Sequence, residues 1–141
     1  MINFEILAYD ETPLGPLCLR RRELLAEPGT IVTEVSLNHE FLMSSYNTAS
    51  ERALSSVALE MHDGRDLDVL VGGLGLGYTA REALVPDRVA RVEVVEFLPQ
   101  VIGWLDQGLI PLAGELKADA RLQGGARRRL PPPVRAAGSR P

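Results

Sequence analysis

Four glycines and one glutamate carry the chemistry legible in this chain. Gly72, Gly73, Gly75 and Gly77 fall in the run Val69-Leu70-Val71-Gly72-Gly73-Leu74-Gly75-Leu76-Gly77, and Glu96 closes a second apolar run that starts at Val92. Glycine has no Cβ, so alternating glycines bring bare backbone against a ligand where a side chain would collide. The N–H groups opening the next helix then face a polar or charged part of that ligand. Glu96 lies 19 residues after Gly77, at the end of the adjacent strand. A carboxylate there accepts two hydrogen bonds from vicinal hydroxyls. Together these residues predict a site for an adenine nucleoside. The plainer alternative is a tight turn beside a solvated strand end. The order strand, glycines, helix, strand, acid favours the ligand site.

The elements that must position these residues follow from periodicity. Asp68–Val71 reads as a strand entering the glycines, Tyr78–Val85 as a helix closed by Pro86-Asp87, and Arg91–Glu96 as a second strand. The valine-rich interior of the second strand suits a parallel sheet covered on both faces. Strand, crossover helix and strand within about 30 residues form a right-handed βαβ unit. Pro99 suits a first helical position, and Val101, Ile102 and Leu105 continue an apolar stripe. Upstream, Ala49–His62 predicts a helix with Ala53, Leu54, Val57, Ala58 and Met61 on one apolar face. Thr48-Ala49-Ser50-Glu51 matches a capping box, which assigns Glu51 to the helix end. Residues 3–43 read as strands and turns, with a turn cluster at Thr12–Pro16 and a hairpin joining Ile31–Leu37 to Phe41–Met43.

Composition bounds the rest. With 141 residues, 45% apolar and 24% charged, the chain is one domain with enough apolar residues for a core. Its apolar runs fall well short of the ~20 residues that span a bilayer. Met1–Asp10 carries acids and no basic segment, unlike a signal peptide. Cys18 is the sole cysteine, which excludes an internal disulfide and points to a reducing cytoplasm. It lies in an apolar strand and reads as buried rather than reactive. His39 and His62 are isolated from other metal ligands, so no metal site is expected. Trp104 reads as core or interface. The net charge of −4 divides unevenly: residues 1–119 carry nine basic and 19 acidic side chains, whereas residues 120–141 carry six arginines and no acid. That arginine-, proline- and glycine-rich end has no apolar periodicity, so disorder is expected there. It lacks interleaved aromatics and is not read as a nucleic-acid surface.

At Val69–Gly77 and Val92–Glu96 the chain resembles the polyamine aminopropyltransferase (spermidine synthase) branch of the S-adenosylmethionine-dependent methyltransferase fold. The segment Phe41-Leu42-Met43-Ser44-Ser45 before a helix and the stretch Asp119-Ala120-Arg121-Leu122 before a third strand agree with it, so the resemblance covers roughly residues 1–122. It favours the frame Gly73-x-Gly75-x-Gly77 over the dinucleotide frame Gly75-x-Gly77-x-x-Ala80. It implies an α/β fold: an incomplete Rossmann-like, methyltransferase-type parallel sheet preceded by a small antiparallel β-unit. The expected division is a β-unit at 1–46, the first half of a nucleoside-binding domain at 47–122 and a disordered tail at 123–141. The implied activity is transfer of an aminopropyl or methyl group to an amine or other small acceptor, a polyamine among them. The implied cofactor is S-adenosylmethionine or its decarboxylated form, held by Gly72, Gly73, Gly75, Gly77 and Glu96. A metal-free cytoplasmic homodimer is also implied. The alternatives are a non-catalytic nucleoside-binding or interaction module and an NAD(P) site.

Departures from the family pattern leave the catalytic residues unassigned. The family's glycine-motif aspartate is Leu76 here, and its Tyr-His-Glu segment reads Ala49-Ser50-Glu51. The adenine-contacting and catalytic aspartates of the family lie beyond the third strand, where this chain has its arginine-rich end. A truncated or frameshifted reading frame in a GC-rich gene, encoding a polypeptide without turnover, is therefore expected. Resequencing the DNA across the Arg121 codon tests this, and a correct frame with a genuine stop would refute it.

Overall fold

The computed structural model describes residues 4–124, as two sheets and four helices. Strands β1 (Phe4–Thr12), β2 (Gly15–Glu23), β3 (Ile31–Leu37) and β4 (Glu40–Ser44) form an antiparallel meander in sequence order. Helix α1 (Ala49–Glu60) leads to β5 (Leu67–Gly72), α2 (Tyr78–Ala83), β6 (Val89–Val95), α3 (Pro99–Asp106), α4 (Ala113–Ala118) and β7 (Leu122–Gly124). β5, β6 and β7 pair in parallel in that order. The fold class is the one expected. β7 runs two residues into the stretch expected to be disordered, and the remainder of that stretch lies outside the described residues.

Local chemistry explains the joints. β1 turns into β2 over Pro13-Leu14, with Thr12 Oγ1 accepting from Leu14 N–H at 3.1 Å and donating to the Gly15 carbonyl at 2.7 Å. β3 and β4 are joined through Asn38 and His39, both at positive φ (53° and 67°). A two-residue hairpin turn of that hand matches strand twist, and asparagine tolerates it. Glu34, buried between strands, accepts from Arg20 and Arg22 at 3.0 Å each.

Three expectations are corrected. The apolar face read on α1 does not pack: Ala53, Leu54, Val57, Ala58 and Met61 are all exposed, and α1 instead buries Ser55 and Leu59. A shared contact fixes this orientation. Ser55 Oγ donates to the Thr79 carbonyl at 2.6 Å, and Thr79 Oγ1 donates to the Glu51 carbonyl at 3.0 Å, locking α1 against α2. The capping box does not form, because Thr48 makes no side-chain cap and Glu51 points elsewhere. The parallel sheet is not covered on both faces. Val71, Val92 and Val94 are buried, whereas Asp68, Leu70 and Arg91 on the other face are exposed.

Two arginines tie loops to helix ends. Arg88 donates to the carbonyls of Leu59, His62 and Gly64, satisfying the C-terminal end of α1. Arg121 donates to the carbonyls of Leu84, Pro86 and Val89 while pairing with Asp119 at 2.9 Å, which pins the start of β7 to the α2–β6 connection. The hydrogen bonds from Arg121 hold the Asp119 carboxyl below the usual carboxylate range. A lowered folded value contributes stability above the unfolded value near pH ~4 and loses it as pH falls through the folded one. Asp119→Asn is therefore expected to lower the melting temperature at pH 6. The gap to the wild type should close progressively below about pH 4, as followed by circular dichroism melts across pH.

Candidate functional site

The glycine turn leaves β5 at its carboxyl end, beside the carboxyl end of β6, where open α/β sheets bind ligands. A cavity of about 250 Å³ lies there. Its floor is the turn Gly72–Gly77, one wall is Leu98, Val101 and Trp104, and the β-unit closes it with Leu17, Val35 and Met43. All five residues read from the sequence as cofactor-binding, Gly72, Gly73, Gly75, Gly77 and Glu96, line it.

The turn depends on glycine most where space is least. A Cβ on Gly75 would sit 2.8 Å from Met43 Sδ, so the β-unit and the turn touch only because glycine is there. At Gly77 φ is +94° and a Cβ would fall 2.5 Å from Leu116 Cδ1, within the core. Gly73, by contrast, has nothing within 4 Å of that position and opens toward the cavity.

Glu96 is not a solvated strand end. It is buried, its Oε1 accepts from Leu74 N–H at 2.7 Å and its Oε2 accepts from Leu98 N–H at 3.0 Å. One carboxylate thus joins the glycine turn to the start of α3. A carboxylate offers about four lone-pair sites, so each oxygen keeps one for a further donor. The turn's own N–H groups are partly engaged: Gly73 N–H by the Val95 carbonyl at 2.7 Å, Leu74 N–H by Glu96, and Gly77 N–H by the Leu74 carbonyl at 2.9 Å. The expectation that the turn offers them freely to a ligand is corrected at these three positions.

Two further residues line the cavity that the sequence reading had not placed there. Glu51 lines the cavity from the first turn of α1, and its Oε2 is buried with no hydrogen-bond partner. Tyr78, the first residue of α2, also lines it; burial raises its phenol above the ordinary value, against the opposing pull of Arg81. The capping-box pattern masked Glu51, and nothing in the spacing marked Tyr78. His62 and His39 are exposed and away from the cavity, and Cys18 is buried in β2.

No family model matches the sequence, and no curated protein matches it. Solved structures do match in three dimensions. The chain superposes with a TM-score of 0.68 and 18% identity on a spermidine synthase crystallised with the transition-state analogue AdoDATO, over 85% of this chain and 39% of that one. Spermidine synthase from Thermotoga maritima matches with a TM-score of 0.67 and 17% identity, over 85% of this chain and 40% of that one. The fold is spermidine-synthase-like. The chain spans about two fifths of the length of these structures. Among the described residues, no helix of this spermidine-synthase-like fold is long and apolar enough to cross a membrane.

The geometry orders two substitutions. Gly77→Ala forces a strained backbone and drives a methyl into buried Leu116, for a cost of about 2 kcal/mol or more. Gly75→Ala meets only the flexible end of half-buried Met43 and is expected to cost about 1 kcal/mol. Urea melts of the two variants check the order, and a larger loss for Gly75→Ala would contradict this packing.

Proposed function

We propose that the cavity holds the nucleoside portion of S-adenosylmethionine or its decarboxylated form, within a transferase site of the spermidine-synthase kind. The observation that carries this reading is Glu96. Its buried carboxylate stands at the carboxyl end of β6 in the cavity lining, braced by two backbone N–H groups, with about one lone pair per oxygen left for a further donor. Vicinal ribose hydroxyls complete that arrangement. The open space at Gly73 leaves room for the atoms attached to the ribose, and the apolar wall of Leu98, Val101 and Trp104 suits a purine face. The cavity's 250 Å³ lies just below the ~300 Å³ at which small-molecule sites usually begin, which favours one nucleoside over a dinucleotide.

When bound, the sulfonium of such a cofactor supplies an electrophilic carbon for an aminopropyl or methyl transfer to an amine acceptor, a polyamine being the class favoured by the neighbours' names. The chain's own residues orient the nucleoside, through Glu96 and the turn, and exclude water with the walls of the β-unit. The two carboxylates that line the cavity differ: Glu96 is braced by two backbone N–H groups, whereas Glu51 Oε2 is buried without a hydrogen-bond partner. No described residue is assigned as a general base, and binding without turnover, in a reducing cytoplasm, is the expected behaviour of this polypeptide.

A second reading, an interaction module acting as a homodimer or with another chain, draws on the exposed Leu54, Val57 and Met61 of α1 and Leu70 of β5 beside the free edge of β5. Such an edge is a template for further pairing.

Thermal melts with 5′-methylthioadenosine test the main reading. At a hundredfold excess over its dissociation constant the ligand should add ~2.7 kcal/mol, a rise of several degrees. In Glu96→Ala, measured against its own ligand-free melt, that rise should largely vanish. A cooperative wild-type melt without a shift would overturn the nucleoside reading and leave the interaction module. Tighter binding of NAD than of 5′-methylthioadenosine would replace it with a dinucleotide site.

A further inference from the structure

Strand β5 is paired along one side. Leu67 N–H donates to the Arg88 carbonyl at 2.9 Å and Gly73 N–H to the Val95 carbonyl at 2.7 Å, both toward β6. Along a parallel strand alternate residues turn their N–H and C=O groups to alternate sides. Asp68, Leu70 and Gly72 therefore direct theirs away from β6, where no strand stands among the described residues. Such a row of backbone groups is a template for a further strand. It borders a groove of about 430 Å³ whose opposite wall is Leu54, Ala58 and Leu59 of α1. Where α1 passes into β5 the surface is acidic, with Glu60, Asp63, Asp66 and Asp68 all exposed against one arginine, Arg65.

The groove favours a bare extended segment. A second copy would bring its own β5 with α1 and α2 fastened alongside, into a space that α1 already flanks. The chain itself continues past Gly124 into residues 125–141, which carry Arg127, Arg128, Arg129, Arg135 and Arg140 and no acid. β7 lies two strands from β5, a span of about 10 Å. The run from Gly125 to Pro133 reaches about 30 Å when extended. Pro131–Pro133 have no N–H to donate, whereas every residue of Val134–Arg140 has one.

We propose that Val134–Arg140 adds to the free edge of β5 as an antiparallel strand in the groove beside α1. Gly124 ends β7 on the side of the sheet where β5 also has its carboxyl end. A segment arriving from there enters beside Gly72 and runs toward Asp68, which brings Arg140 to Asp66 and Asp68. The small side chains of Ala136, Ala137, Gly138 and Ser139 leave the groove's walls in place. Backbone pairing supplies the affinity, and the exposed charges set direction more than strength. The segment is then a built-in edge strand, in place of the disorder its composition suggests. This inference is independent of the nucleoside reading, and it assigns within one chain the edge that the interaction-module reading gives to a neighbour.

Amide hydrogen exchange of the full chain, resolved by residue with NMR, tests it. Asp68, Leu70 and Gly72 should exchange at least about tenfold more slowly than unpaired amides, at every protein concentration. In the full chain carrying Ala136→Pro with Ala137→Pro, a pairing N–H is lost in either register and the protection should vanish. Val69 and Val71, bonded to β6, should keep theirs and so report that the variant is folded. Arg135→Asp with Arg140→Asp keeps every N–H but opposes the acidic rim, and should reduce the protection by about threefold. That second variant decides the matter if the prolines unfold the chain, and unchanged protection in it would refute the proposal. Rapid exchange at Asp68, Leu70 and Gly72 in the wild type overturns it outright. Protection that grows with protein concentration gives the edge to a second copy, and protection that survives the prolines gives it to another segment; either result overturns it too.

Discussion

The bidentate acceptance by Glu96 is the interaction on which the site's shape depends. A glycine turn has little shape of its own, because the residues that make it possible are those with the widest backbone freedom. Something must select one conformation. Here a single carboxylate fixes Leu74 at the crest of the turn and Leu98 at the start of α3, from a residue at the end of β6. A turn 22 residues upstream is thereby joined to the β6–α3 junction through one buried carboxylate. Charge-assisted bonds of this kind are shorter and roughly twice as strong as neutral ones. Replacing the carboxylate by an amide would present a donor to one of two N–H groups and leave it unpaired.

The β-unit contributes closure rather than chemistry. Leu17, Leu19 and Val35 of β2 and β3 belong to the same apolar core as Val92, Val101 and Trp104, so the antiparallel sheet is packed onto the parallel one. Met43 of β4 rests where a Cβ on Gly75 would stand. The β-unit therefore gives the cavity an apolar wall of Leu17, Val35 and Met43.

Much of this was legible in the sequence because it rests on local chemistry. The glycine spacing, the βαβ order, the Pro99 helix start and the acid after Val95 each follow from backbone geometry acting over a few residues. The failures share a different cause. The stripe Leu54, Val57, Met61 has helical spacing, but spacing does not say which face meets the core; the Ser55–Thr79–Glu51 exchange decided that. Thr48 and Glu51 have the residue types of a capping box, yet Glu51 lies at the cavity instead, because α1 is docked by its other face. Arg88 and Arg121 look like ordinary surface charges in sequence, and only the fold brings three carbonyls to each.

Helix α1 links the cavity to the exposed apolar side chains beside β5. Its first turn presents Glu51 to the cavity, and its outer side presents Leu54, Val57 and Met61 next to the free edge of β5. A 12-residue helix is stiff on the scale of these contacts, and it is fastened at both ends, to Thr79 at the first and to Arg88 at the last. Glu51 and the exposed apolar side of α1 thus belong to one helix, whose first turn is bonded to Thr79 and whose last turn is bonded to Arg88.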